Sequence, residues 1–212
     1  MANFNVVSDF IGEFNISQNK YATTDYTSVI ATTEEKILKD LLGEDLYMKL
    51  IATPTTAPYA DLVNGKTYSV VNIDGVTVNI NYQGIKKMLK YFTYAELLRY
   101  QETENTEVGQ VEPSQTNSVR MAKNNLSAKI SEAYNKGVKL YGFDIETYGN
   151  NASLIRGLRD STVKKYTEYD YYSEIVKGTA FNYLYYCEKN FPSYFPTWQF
   201  SKKDLSFCNG YL

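Results

Sequence analysis

The chain has 212 residues, 43% of them hydrophobic, with a formal net charge of -2 and no histidine. That length suits one domain with or without extensions, and the charge gives no general attraction to nucleic acid, which argues against a free-standing DNA binder. The missing histidine excludes Ser-His-Asp, Cys-His and HExxH chemistry. Tyrosine is abundant, at 21 residues against 10 phenylalanines and one tryptophan. A tyrosine buries its ring and keeps a hydroxyl for a partner, so these side chains suit core edges, subunit contacts or carbohydrate stacking. Cys187 and Cys208 lack metal or redox spacing and read as reduced thiols of a protein made in a cytosol. Residues 1–20 lack a basic segment followed by an apolar one, which predicts a chain not exported by a classical signal.

In chain order, residues 1–31 show no sustained period and are expected to form an extended arm that reaches a neighbour. TTEEKILKDLL then predicts a helix with Thr32 as N-cap and Glu35 completing a capping box. Gly43 interrupts it, and EDLYMKLI resumes with Leu46, Tyr47, Leu50 and Ile51. Over 68–82 the period changes to two, and Asp74-Gly75 signals a type I′ hairpin that pairs Ile73 with Val76 and Val71 with Val78. A lone hairpin is marginal in water, so this one needs a helix or another chain to cover it.

A long helix is expected from Gly84 to about Gln101, apolar nearly all round past Tyr91 and therefore buried on two sides. Residues 102–118 follow with four glutamates and no basic residue, and a polar connection of that length is usually functional or disordered. A second long helix runs over 118–141, and a third is predicted over 172–190. The segment 191–212 is aromatic and carries prolines, which argues against a long regular element. The organisation expected is thus an arm over 1–31, a helical domain over 32–190 with a hairpin at 68–82 and a long loop at 102–118, and a C-terminal extension over 191–212.

Three patterns resemble chemical motifs. ADLVNGKT, from Ala60 to Thr67, matches a loose P-loop, but a helix precedes it and a hairpin follows, the reverse of a phosphate cradle; it reads as a turn into the hairpin. Asp144 and Glu146 in YGFDIETYG resemble the first metal-binding motif of DnaQ-like exonucleases, and Tyr166 to Asp170 spells YxxxD. Between them only Asp160 offers the further carboxylate such a site needs, so they read better as a solvated helix end. Lys86 and Lys90 stand one turn apart and could touch phosphate, but they read far better as a solvated helix face. No catalytic, cofactor-binding or metal-binding residue is assigned.

Taken together, the stretches NISQNKYATTDYTSVI with EEKILKDLLGEDLYMKLI, YQGIKKMLKYFTYAELLRYQETENTEVGQVEPSQTNS, AYNKGVKLYGFDIETYGNN and NFPSYFPTW carry a family likeness. The chain resembles head-to-tail connector (adaptor, or neck ring) proteins of tailed bacteriophages, especially crAss-like phages and relatives that infect Bacteroidetes. The likeness runs from about Asn15 to Trp198 and rests on LLGxxLY at Leu41 to Tyr47, YFxYxE at Tyr91 to Glu96 and a T-x-x-G turn at Thr106 to Gly109. The hairpin at 68–82 and the tail after Tyr171 are longer than the family's usual connections.

The resemblance implies a helical subunit, and with the elements read above the expected fold is mainly α, an antiparallel long-helix bundle with an inserted β-hairpin, an extended N-terminal arm and an irregular aromatic C-terminal segment. It implies a non-enzymatic virion protein without cofactors, assembled in the host cytoplasm into a ring of about twelve copies between portal and tail. Its partners would be the portal protein, adjacent neck or tail rings, and passing DNA without sequence-specific binding, with no membrane. On that reading Glu102, Glu104, Glu107 and Glu112 line the channel or dock on an adjacent ring, where acidic side chains repel phosphate. Tyr21, Val76, Val78, Ile80 and Tyr82 would lie at the subunit interface. The alternative for residues 102–118 is a disordered surface loop, and those for the protein are a metal-dependent 3′–5′ exonuclease built on Asp144 and Glu146 and a carbohydrate-binding module.

Overall fold

A computed structural model describes residues 4–16, 23–71, 76–102, 104–106, 109–111, 123–142 and 178–195. The protein is mainly α-helical, with two small antiparallel sheets of two strands each among the described residues. Its helices are α1 (Thr23–Leu42), α2 (Glu44–Ala52), α3 (Tyr59–Asn64), α4 (Ile85–Glu102), α5 (Lys123–Tyr141) and α6 (Ala180–Asn190). The strands are β1 (Lys66–Val71), β2 (Thr77–Tyr82), β3 (Glu104–Thr106) and β4 (Gly109–Val111).

Helix α1 starts well before the expected N-cap. Thr32 lies inside it, its hydroxyl donating to the Ser28 carbonyl at 2.9 Å. The capping-box reading is therefore corrected: the weak helix formers of 23–33 are held helical because Tyr26, Ile30, Ile37, Leu38 and Leu41 share a buried stripe. The chain turns at Gly43, and Leu46, Tyr47 and Leu50 of α2 continue the core. Lys39 spans this corner, bound to Glu35 at 2.9 Å and to Glu44 at 3.2 Å.

The N-terminal stretch also departs from the extended arm. Residues 4–16 form two 3-10 turns, Val7–Asp9 and Gly12–Phe14, and bury Phe10, Phe14 and Ile16 against their own chain. Three large apolar side chains repay the ordering of a short segment, which isolated polar residues between them concealed.

Helix α4 packs on α1, α3 and α5. Leu89, Phe92 and Ala95 are buried, and so are Thr93, Tyr94, Leu97 and Leu98, which accounts for the helix being apolar nearly all round. Its partner α5 runs antiparallel: Lys136 lies 5.8 Å from the Tyr91 ring, Phe92 meets Tyr134 at 5.2 Å, and Lys129 lies 5.5 Å from Tyr94.

The hairpin β1–β2 exists where the period of two places it, but one residue out of the predicted register. Val70 pairs with Val78 and Tyr68 with Ile80, while Val71 faces Thr77. The slip of one residue exchanges the faces of β1, so Val71 is exposed and Tyr68 and Val70 join Ile80 and Tyr82 on the inward face. The cover comes from the same chain, because Tyr183 of α6 stacks on Tyr82 at 4.3 Å and meets Tyr68 at 5.2 Å. At the base of the hairpin, Gly65 (φ +92°) and Gly84 (φ +84°) cross back to back. A Cβ on Gly65 would run into the Tyr82 carbonyl, and one on Gly84 into the Val63 carbonyl, so only glycine fits at either.

Helix α6 is shorter than the run predicted over 172–190. Gly178 has φ +75°, and the Thr179 hydroxyl caps the helix by accepting from the Asn182 amide at 3.3 Å, so the helix cannot run unbroken through Gly178. Residues 172–177 lie outside the described part. Beyond α6, Phe195 is buried against Tyr59, whose hydroxyl donates to the Tyr194 carbonyl at 3.0 Å.

Candidate functional site

The residues assigned to channel and interface fall in three groups. Glu102 ends α4 and Glu104 opens β3, whereas Glu107 and Glu112 lie outside the described residues, as does Tyr21. Val76 is 56% exposed and Val78 half-buried. Ile80 and Tyr82 are only 1% and 3% exposed, so their assignment to a subunit surface is corrected: alternation identifies the apolar face of a strand but not what covers it, and here α6 does.

Part of the acidic connection is built. Strands β3 and β4 pair Glu104 with Val111, Asn105 with Gln110 and Thr106 with Gly109, so the T-x-x-G pattern sits at a hairpin end. Among the described residues this sheet has those two strands. It stands between α4 and α5, the pair of helices that forms the centre of the fold.

The chemical motifs resolve simply where they are described. Ala60 lies in α3, Gly65 caps that helix, and Lys66 opens β1 and binds Asp61 at 2.7 Å, so the loose P-loop is a turn into the hairpin. Lys86 binds Asp9 at 3.6 Å, and Lys90 lies 4.4 Å from the Phe14 ring, so both are engaged by the N-terminal segment. Asp144, Glu146, Asp160, Tyr166 and Asp170 lie outside the described residues. Among the described residues, no group of three or more Cys, Asp or Glu side chains is placed to hold a metal, and no helix is long and apolar enough to cross a membrane.

Two buried titratable groups stand out, of which sequence reasoning named Cys187 as a reduced thiol and missed Glu34. Glu34 is 2% exposed, and its carboxylate accepts from the Phe4 amide at 2.8 Å, the Asn5 amide at 3.0 Å and Asn5 Nδ2 at 2.7 Å. Burial raises its pKa above the ordinary carboxylate value, against the lowering effect of those hydrogen bonds. Its sequence signal was an acid at helical spacing between Ile30 and Leu38, hidden as long as the helix was taken to start at Thr32. Cys187 lies beneath the aromatic stack, where burial pushes its thiol up to about 12 and leaves it without nucleophilic character at neutral pH. The hydroxyls of Tyr82 and Tyr183 are likewise raised by burial. A groove of about 350 Å³ opens between α1, α4 and α5, with Val29, Ile37 and Phe92 among its apolar walls and Lys36, Glu96 and Tyr134 among its polar ones.

No curated protein matches the chain, and no solved structure matches it. Residues 38–142, from the C-terminal end of α1 through α5, match the model of a family described as a family of unknown function (DUF6712), and over that stretch the chain is similar to it.

Proposed function

We propose that the protein is a non-enzymatic structural subunit of a tailed-phage neck, assembling as a ring of about twelve copies that joins portal to tail. The observation that carries this reading is the hairpin β3–β4, opened by Glu104, in the connection between α4 and α5, which pack on one another. On this reading the long helices form the bundle wall of the ring, and residues 102–118 face the DNA channel or an adjacent ring. Glutamates without basic neighbours keep passing phosphate from sticking. The motifs behind the resemblance also sit at packing positions: LLGxxLY forms the α1–α2 corner, and YFxYxE is the stretch of α4 buried on two sides. Repeated weak contacts around a ring multiply into firm attachment without a single strong site.

The test is a reconstruction of the source particle with symmetry relaxed at the portal vertex. A closed ring of this chain between portal and tail, with residues 102–118 toward the channel or the next ring, is the expected result. Absence of the chain from the particle would reject the reading. Changing Glu102, Glu104, Glu107 and Glu112 to lysine separates the two placements, since unaltered DNA packaging and retention would exclude the channel.

A further inference from the structure

The buried Glu34 carboxylate of α1 takes its donors from one short segment. Phe4 and Asn5 supply them through two backbone amides and the Asn5 carboxamide, and Asn5 Nδ2 also reaches the Lys86 carbonyl at 3.2 Å. Among the described residues no cation forms an ion pair with Glu34. The Lys86 ammonium, the positive charge that acts on it from α4, lies 3.6 Å from Asp9 instead. The rest of 4–16 is held by apolar contacts, with Phe10, Phe14 and Ile16 in the core and Phe14 edge-on to Tyr91 at 4.8 Å and Tyr94 at 5.4 Å. Seated, the segment seals a carboxyl group away from water; lifted, it returns that group to solvent.

The proton affinity of Glu34 and the seating of 4–16 are therefore coupled, and the sign depends on which effect is larger. The three donors favour the carboxylate, whereas burial without a counter-ion favours the neutral acid, and burial dominates. Seating thus takes up a proton. It has full support below the ordinary value of 4.5 and weakens as pH rises through the raised one, by at most about tenfold per pH unit in between. Asn5 Oδ1 is a geometric sign of the neutral form. It is buried without a hydrogen-bond partner, and of the two forms of Glu34 only the acid carries an O–H for that oxygen to accept once the amide turns. The other titratable groups around this corner are Asp9 and Lys86, paired with one another, Lys90 over the Phe14 ring at 4.4 Å, Tyr47 of α2, and Glu35 and Glu44, both held by Lys39.

We propose that Glu34 and residues 4–16 form a proton-operated latch, in which a proton taken up from solvent by the buried carboxyl group clamps the segment onto α1 and α4, and its release loosens the segment. The latch goes beyond the ring reading and stands whatever the chain assembles into.

The first test follows the full-length chain, labelled with carbon-13 at its glutamate carboxyls, by NMR from acid to neutral pH, with Glu34→Gln identifying the Glu34 resonance. A midpoint above 4.5 that falls back toward 4.5 when Phe10→Ala and Phe14→Ala lift the segment is the expected result. Asn5→Ala takes the place of that variant if its helical circular dichroism is lost. A wild-type midpoint at or below 4.5, or one raised equally in both chains, overturns the latch. Native-state hydrogen exchange, corrected for the intrinsic pH dependence of exchange, then reads the seating itself. Protection of the 4–16 amides should fall as pH rises through the Glu34 midpoint, by the factor that the midpoint shift dictates, while that of α5 holds. Glu34→Gln should abolish this step and Asp9→Asn should keep it. No step in 4–16, a step shared with α5, or one that survives in Glu34→Gln overturns the latch as well.

Discussion

The two hairpins are built alike and fare differently. In β1–β2, strands of six residues alternate Tyr, Val and Ile with polar residues, and α6 closes over the apolar face. In β3–β4, strands of three residues drawn from Glu-Asn-Thr and Gly-Gln-Val pair with one another, and with no further strand among the described residues. A two-stranded ribbon is marginal in water on its own, and the first hairpin belongs to the core because α6 covers it.

Breaking the cover should have the largest effect. Tyr183 is fully buried between Tyr82 and Tyr68, and Tyr183→Ala should remove about 3–5 kcal/mol of stability by urea denaturation. Hydrogen exchange in the same variant should bring the β1–β2 amides down toward those of β3–β4; unchanged β1–β2 protection would show that α6 is not the support.

Alkaline pH should loosen the same place by titration. The folded Cys187 thiol keeps its proton up to about 12, whereas an unfolded thiol releases it near 9.0. Between those values the folded state binds more protons, so stability falls as pH rises, by at most roughly 1.4 kcal/mol per pH unit from this group. Cys187→Ala should flatten the slope of a chemical-denaturation series over that range, and an identical slope would reassign it to the tyrosines.

A control for both hairpins lies at Glu34. Glutamine there can accept through one oxygen but turns an NH2 toward donors, so Glu34→Gln should cost about 1–3 kcal/mol without changing the ratio of protection between the hairpins. Because burial raises the folded pKa above 4.5, the wild-type contribution is largest below that value and declines as pH rises through the raised one, so the gap between the two proteins should be widest in acid. The smallest effect on stability is expected from replacing residues 103–118 with a Gly/Ser linker of equal length, a change under about 0.5 kcal/mol in denaturation. A much larger loss would place the second hairpin in the core as well.

These differences mark how far the sequence could be read. Periodicity located α2, α4 and α5, because each carries a sustained apolar stripe between clear breaks. It missed the start of α1, where threonine and serine favour other conformations locally and only packing of Tyr26 and Ile30 makes them helical. The hairpin was visible but its register was not: a turn centred on Asp74-Gly75 would bring Val71 inward, whereas the rings of Tyr183 and Tyr186 select Tyr68. Of the interface residues, Ile80 and Tyr82 were identified correctly as apolar but not as already covered, since that depends on α6, a hundred residues further along the chain. Glu34 stayed hidden because its donors lie at the other end of a separate segment.

The crossing of Gly65 and Gly84 has a mechanical consequence. Two backbone segments of the chain are in contact at the root of β1–β2, and the root continues directly into α3 on one side and α4 on the other. Displacement of the exposed end near Val71 and Val76 would therefore bear on the starts of both connections, to α3 and to α4, and α4 packs on α5.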